Sequence, residues 1–230
     1  MNPKIDLSQV KYLAFDGTYF HKTGCLIVLM DTETKKYICY EYVKKENDSS
    51  VLEMCQKLKH KGLKPKAITV DGHPQVIRAF RQIWPNILVQ RCLFHIKLQG
   101  QMWLRTYPKT EAGKALKLIL SKLMNVKDNE SKNIWIHSYE IWHKKYHKKI
   151  LRLSKTSIAS KDLRRAMSLI NNALPDIFHF IKDQKIASTT NLLENYFSQL
   201  KHQYRCHRGL TKIHKIAYLK WFCYFKNQAK

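Results

Sequence analysis

Short apolar stretches separated by polar links fill the first third of the chain. Three of them, residues 11–16, 24–30 and 37–43, are rich in the β-branched and aromatic residues that favour strands. Two later stretches, residues 66–71 and 86–90, have the same character. The pattern therefore predicts five strands, of which the first three are joined by hairpins.

Apolar residues recur at helical spacing before each of the last two strands, in residues 50–61 and 74–84. Pro74 suits the first turn of the second helix, where its missing N–H group costs no hydrogen bond. The predicted order, β-β-β-α-β-α-β, is typical of a three-layer α/β fold in which a hairpin meander leads into parallel strands.

From about residue 91 the pattern is helical almost throughout. Residues 134–151 carry one stripe of large side chains: Trp135, Tyr139, Trp142, Tyr146 and Ile150. Such a stripe is more often core than a base-stacking surface, although the lysines beside it could contact phosphates. We expect residues 97–185 to be a helical insertion between a core segment, 1–96, and C-terminal helices, 186–230, that complete the core.

The charge of the chain narrows the class of its partner. Among its 230 residues, 42 Lys and Arg stand against 17 Asp and Glu, a formal net charge of +25. Residues 1–96 hold 15 basic and 9 acidic side chains, whereas residues 97–230 hold 27 and 8. A surface of this sign attracts nucleic acid. Charge alone leaves a ribosomal-type basic protein open as an alternative.

The cysteines and the apolar runs indicate the compartment. Six cysteines form no Cys-x-x-Cys pair, which is typical of reduced thiols in the cytosol. The first ten residues lack the apolar core of a signal peptide, and the run at residues 25–30 is too short to span a bilayer. We expect a soluble cytoplasmic protein that has no membrane partner.

Asp-Gly pairs end two of the apolar stretches, at Asp16-Gly17 and Asp71-Gly72. Between apolar runs such a pair signals a hairpin. After Asp71, however, a helix pattern follows, which places this acid at the C-terminal end of a strand, where ligands gather in an open α/β sheet. Taken alone, this stretch fits a turn or N-cap role of Asp71 as well as it fits a role in binding a ligand.

Asp16 lies within or just after the first apolar strand. A buried carboxylate is costly unless it is paired or bound to a metal. Acids on two neighbouring parallel strands would bring oxygen ligands together, and oxygen ligands suit Mg²⁺. A third acid would complete such a site.

The candidate third acid is Glu194, within the helical pattern of residues 187–210. The apolar face of this helix comprises Leu193, Phe197, Leu200 and Tyr204. Its polar face carries, after Glu194, the basic residues Lys201, Arg205 and Arg208. A carboxylate at the head of a basic stripe suits a metal site beside a phosphate backbone. Alternatively, Asn191 and Glu194 are an N-cap and the acid of a capping box.

Along the chain, an aspartate at the first strand, an aspartate after the fourth strand and a glutamate on a late helix follow one another. This order resembles the motifs of DDE transposases, which have a ribonuclease H-like catalytic core. "RCLFHIK", which contains Cys92 and His95, and the Arg-Gly after the glutamate helix narrow the resemblance to the Mutator-like group and related bacterial insertion-sequence transposases. The resemblance implies a mixed five-stranded sheet flanked by helices, with an all-helical insertion before the last catalytic helix.

The resemblance also implies roles. Asp16, Asp71 and Glu194 would be catalytic and would hold two divalent cations, Mg²⁺ or Mn²⁺. The reaction would be strand cleavage at the ends of a mobile element and strand transfer into target DNA. The three basic residues of the late helix would position the phosphate backbone. DNA would be the partner, the active complex a homo-oligomer, and the chain would associate with the nucleoid.

Cys92 and His95 share a helix face because they are three residues apart. A structural zinc site needs four ligands, and no second pair lies at ligand spacing, since Cys206 and His207 are adjacent. We expect Cys92 to be packed and His95 to lie near the acids, where it would bond an active-site group or the scissile phosphate.

Two other functions fit the same residues: a non-catalytic DNA-binding protein derived from a transposase, and a ribonuclease H-like nuclease. The intact acids favour catalysis, because carboxylates repel phosphates unless metals intervene, and a nuclease would not need the insertion. Fifteen residues precede Asp16, where the family carries DNA-binding segments. We therefore expect a truncated catalytic-domain form, or end recognition by a partner.

Overall fold

The computed structural model describes residues 5–20, 24–154, 156–207 and 209–228. Its strands are β1 (Tyr12–Tyr19), β2 (Cys25–Asp31), β3 (Tyr37–Val43), β4 (Ala67–Val70) and β5 (Leu88–Arg91). Its helices are α1 (Asp48–His60), α2 (Pro74–Ile83), α3 (Leu93–Leu104), α4 (Glu111–Ser121), α5 (Asn129–Arg152), α6 (Ile158–Ala173), α7 (His179–Lys182), α8 (Asn191–Arg205) and α9 (Lys212–Gln228). Short 3₁₀ turns lie at Leu123–Asn125 and Leu174–Asp176. The predicted order of the first seven elements is confirmed.

The chain divides into two compact units. The first comprises residues 1–90 and 184–230, and the second comprises residues 91–183. The sheet belongs to the first unit, with the last residue of β5 at the boundary, and the second unit contains the helices α3 to α7.

The five described strands form one sheet in the order β3-β2-β1-β4-β5. β1 is antiparallel to β2, and β2 is antiparallel to β3. β1 and β4 run parallel, with Ala14 opposite Thr69. The meander followed by a parallel crossover is therefore confirmed, and the mixed sheet is compatible with a ribonuclease H-like fold.

Alternation of side chains along the strands builds a core on each face of the sheet. On one face Leu13 and Phe15 of β1 pack with apolar residues of α1 and α2, and the ring of Phe15 lies edge-on to Phe80 at 5.5 Å. On the other face Ala14 packs with apolar residues of α8 and α9, among them Leu193. The three layers predicted from the sequence are confirmed.

The second unit has a separate core built around α5. Three aromatic residues of the predicted stripe are each 3% exposed: Trp135, Tyr139 and Trp142. Their polar atoms bond to neighbouring helices: Trp135 Nε1 to Ile119 O at 2.9 Å, Trp142 Nε1 to Ala112 O at 2.9 Å, and Tyr139 Oη to Asn171 Oδ1 at 2.6 Å. The stripe is core, as predicted.

All six cysteines are free thiols, and five of them are buried. None of the helices in the described part of the chain has both the length and the apolar character needed to cross a membrane.

Candidate metal centre

Asp16 lies inside β1 and is paired with Val28 of β2. The strand continues past it to Tyr19, so Asp16 lies within the first strand, which is one of the two positions expected from the sequence. Its Oδ1 accepts a hydrogen bond from the Gly17 N–H group at 2.8 Å. Alternation places Asp16 on the same face as Ala14, which is the face covered by α8 and α9.

Asp71 directly follows β4, and α2 begins at Pro74. A helix rather than a returning strand comes next, so the hairpin interpretation is wrong. Gly72 has a φ of +97°, which side chains with a Cβ rarely adopt. Oδ1 of Asp71 accepts a hydrogen bond from the His73 N–H group at 2.8 Å, so the acid also holds the turn.

The parallel register brings Asp16 and Asp71 to the same edge of the sheet. Ala14 is opposite Thr69, and two residues further along each chain segment come Asp16 and Asp71. Neighbouring strands lie about 4.8 Å apart. Both acids are half-buried, which keeps their carboxylates partly out of water.

Glu194 comes from the first turn of α8, and one of its carboxylate oxygens lies within 4.8 Å of one from Asp16. The N-cap of α8 is Thr190, whose carbonyl accepts a hydrogen bond from the Glu194 N–H group at 3.2 Å. Asn191 is thus the first helical residue, and the capping-box interpretation is wrong.

The apolar face of α8 fixes the position of Glu194. The buried residues of this helix are Leu193, Tyr196, Phe197 and Leu200. They pack in the core that contains Ala14, whereas Tyr204 at the far end is only half-buried. Before the helix, the Thr69 hydroxyl donates to the Ala187 carbonyl at 2.6 Å, which ties this segment to β4.

A fourth acid, Glu46, was not singled out by the sequence. It is half-buried in the link between β3 and α1. A Cβ atom on Gly17 would overlap its Oε2 and lie 3.0 Å from its Cδ, so the carboxyl group fills the space beside that glycine. Burial, followed by the negative charges of Asp71 and Asp16, raises the pKa of Glu46 to about 7.

These donors fit a divalent cation that prefers oxygen ligands. Two carboxylates as close as those of Asp16 and Glu194 repel each other unless a proton or a cation intervenes. Mg²⁺ is usually held by one or two carboxylates together with water and substrate phosphate. The half-buried acids at this edge of the sheet provide such ligands.

A profile of the transposases of the Mutator family matches residues 25–210. The chain belongs to this family of transposases. The match runs from the start of β2 to beyond the end of α8, so it includes Asp71 and Glu194 and begins after Asp16. Family membership supports a transposase-like role for the chain.

The other comparisons add little to this assignment. No curated protein matches the chain. Among solved structures it is similar to a chain in the cryo-EM structure of the simian T-cell lymphotropic virus intasome in complex with PP2A regulatory subunit B56 gamma, with 16% identity and a TM-score of 0.30. The match covers 68% of this chain and 48% of the intasome chain, so this chain spans about half the length of the intasome chain.

Two of the three basic residues predicted to contact phosphates, Lys201 and Arg205, lie on α8. Burial, with the charges of Glu46 and Asp16, raises the pKa of the Cys25 thiol, and the charge of Lys201 opposes this rise. The charge of Lys201 and the charges of these two acids therefore act on the same thiol. Arg205 is exposed in the last turn of α8. Arg208, the third predicted phosphate contact, lies outside the described residues.

Cys92 and His95 of the transposase lie at the start of α3, in the second unit. Cys92 is the N-cap residue and its side chain is fully buried, as expected of a packed cysteine. His95 is half-buried in the first turn, with its ring centroid 6.1 Å from that of Phe94. Its role stays a prediction.

Proposed function

We propose that this transposase is a DDE-type enzyme with a ribonuclease H-like core, which cleaves DNA at the ends of a mobile element and transfers the strand into target DNA. The observation that carries the proposal is that the Asp16 and Glu194 carboxylates lie within 4.8 Å of each other, with Asp71 directly after the adjacent strand. DNA binding alone gives no reason to collect acids beside a basic helix, because carboxylates repel phosphates.

The three acids would hold two Mg²⁺ or Mn²⁺ ions. Such ions, when bound, activate the attacking oxygen and stabilise the leaving oxygen of a phosphodiester. The chain itself fixes the carboxylates in place. Strand pairing with β2 holds Asp16, the buried face of α8 holds Glu194, and the hydrogen bond to the His73 N–H group orients Asp71.

DNA is the proposed partner, both as element ends and as target. Lys201 and Arg205, together with Arg208, would position the phosphate backbone beside the acids without reading its sequence. His95 would bond an active-site group or the scissile phosphate. The active complex would be a homo-oligomer.

The domain assignment belongs to the same proposal. Residues 1–96 and 186–230 would form the ribonuclease H-like core, and residues 97–185 would be the helical insertion. The core would supply the three acids, and the insertion would add basic surface, since residues 97–185 hold 19 basic side chains against 7 acidic ones.

The proposal is tested by a cleavage and strand-transfer assay on DNA that carries the ends of the chain's own element, with Mg²⁺ or Mn²⁺. We expect Asp71→Asn to abolish both steps and to leave DNA binding intact or stronger, because the variant removes a negative charge beside phosphates. Glu53→Gln is the matched control, since Glu53 is an exposed acid of α1 that pairs with Lys57.

Two results would contradict the proposal. Full activity of Asp71→Asn would remove the assigned role of the acid. Tight DNA binding by a wild-type chain that neither cleaves nor joins DNA would instead identify a non-catalytic DNA-binding protein derived from a transposase.

A further inference from the structure

Glu46 is held by the fold at the edge of the proposed metal centre. Its backbone N–H group donates to Tyr19 Oη at 3.4 Å. The next residue, Asn47, forms a capping box with Ser50 at the start of α1. These contacts fix the backbone at Glu46 and directly after it, so the fold sets the direction in which the Glu46 side chain leaves the link.

Gly17 makes room for this carboxyl group. A Cβ atom at Gly17 would overlap Oε2 of Glu46, lie 3.0 Å from its Cδ and lie 3.1 Å from Sγ of Cys25. The glycines with positive φ among the described residues are Gly24, Gly62 and Gly72. Gly17 is therefore not needed for backbone conformation, and what it provides is space.

Glu46 and Glu194 approach β1 from opposite faces of the sheet. Gly17 follows Leu13 and Phe15 in the alternation of β1, so it lies on the face of the sheet that carries α1. Glu194 reaches Asp16 from the face that carries α8. Acids from both sides of β1 thus surround the strand at Asp16.

The charges that act on Glu46 come from Asp71 and Asp16. A carboxylate that is partly withdrawn from water and is acted on by the charges of two others is unfavourable in the absence of a positive charge. A divalent cation at Asp16 and Asp71 would supply that charge.

We propose that Glu46 is a fourth carboxylate of the cation site, which strengthens the binding of divalent cations at Asp16 and Asp71 by its charge and by accepting hydrogen bonds from cation-bound water. This inference rests on the proposed function, since it assumes a cation at these acids. Mg²⁺ and Mn²⁺ retain several waters, which need acceptors of this kind.

Binding of Mn²⁺ to the full chain without DNA, followed by electron paramagnetic resonance, tests the proposal. We expect Glu46→Gln, which keeps the shape and removes the charge, to weaken Mn²⁺ binding by about 10-fold or more. Glu53→Gln should bind like the wild type. Wild-type affinity in Glu46→Gln would overturn the inference.

Asp71→Asn in the same assay separates this inference from the proposed function. If Asp71→Asn weakens Mn²⁺ binding and Glu46→Gln does not, only the role of Glu46 fails. If neither variant changes Mn²⁺ binding, the cation site itself fails, and the proposed function fails with it.

Gly17→Ala tests the same role by a second route, which still decides the matter if Glu46→Gln does not fold. The added methyl group displaces the flexible end of Glu46 and leaves every charge in place. We expect weaker Mn²⁺ binding in Gly17→Ala and no further loss when Gly17→Ala is added to Glu46→Gln. Wild-type Mn²⁺ affinity in Gly17→Ala, or additive losses in the double variant, would overturn the inference.

Discussion

At the scale of single residues, the proposed metal centre consists of acids whose negative charges repel one another. The carboxylates of Asp16 and Glu194 lie within 4.8 Å, and the charges of Asp16 and Asp71 act on Glu46. When these groups are all charged and no cation is bound, their repulsion lowers the free energy of unfolding. The stability of the chain should therefore depend on both pH and divalent cations.

The raised pKa of Glu46 sets the direction of the pH dependence. In EDTA, Glu46 keeps its proton up to a pH of about 7 in the folded chain, against an ordinary value of 4.5. Unfolding then releases the proton, so the contribution of Glu46 to stability falls as pH rises through this window, by an amount on the order of 3 kcal/mol. Glu46→Gln does not titrate and should lose this dependence.

Urea unfolding of both chains at several pH values measures the effect. The two chains differ only at residue 46, so the difference between their stabilities reports on Glu46. We expect nearly equal stabilities at pH 4.5 and a more stable Glu46→Gln at pH 8. A difference that stays constant with pH would show that Glu46 has an ordinary pKa.

The position of Asp71 at the end of a strand could be predicted from its own stretch, because an apolar run precedes it and a glycine and a helix-starting proline follow it. Glu46 could not, because its surroundings, "KKENDSS", have the composition of any polar link. Its place beside the other acids became visible only from its packing against Gly17, a residue far away in the chain. Likewise, the meeting of Glu194 with Asp16 depends on how α8 lies on the sheet.

At the scale of elements, apolar periodicity predicted most of the fold. The stripe on α5 was identified as core because its spacing matches a helix with one buried side. The residues at which strands and helices begin and end were harder to predict from the sequence. β1 continues to Tyr19 because Gly17 to Tyr19 pair with β2, and such pairing leaves no periodic signal. The N-cap of α8 is Thr190, which is 1% exposed, and not Asn191, which the sequence offered as the N-cap.

Trp142 provides a test of the α5 core. Its indole N–H group donates to the Ala112 carbonyl from a position that is 3% exposed. Trp142→Phe removes this bond and leaves a gap, so we expect a loss of about 2 kcal/mol in the free energy of unfolding. Urea unfolding followed by circular dichroism gives the value. Ile141→Ala, at a neighbouring position that is 55% exposed, should change it by less than about 0.5 kcal/mol.

At the scale of the whole molecule, charge is the dominant property. The net charge of +25 lies mostly in residues 97–230, which include the basic face of α8. Binding of such a surface to DNA releases counterions, so the affinity falls steeply with salt. The sequence alone predicted this property because charge counts do not depend on the fold, whereas the position of each contact does.

Replacing Lys201 and Arg205 with Gln should flatten the salt dependence of DNA binding. Each lost phosphate contact reduces the slope of log affinity against log salt by about 1, so we expect the double variant to lose about 2. Fluorescence anisotropy with a DNA duplex measures the slope. Lys57→Gln on α1, at an exposed lysine paired with Glu53, is the control. A double variant with the wild-type slope would place the phosphate contacts elsewhere.

The location of Mn²⁺ in crystals decides most directly whether these acids form a metal centre. Anomalous scattering from crystals grown with saturating Mn²⁺ should show peaks about 2.0–2.6 Å from carboxylate oxygens of Asp16, Asp71 and Glu194. The same peaks should be lost or weakened in Asp71→Asn. Well-ordered carboxylates without a peak beside them, or Mn²⁺ only at other sites, would contradict the proposed metal centre.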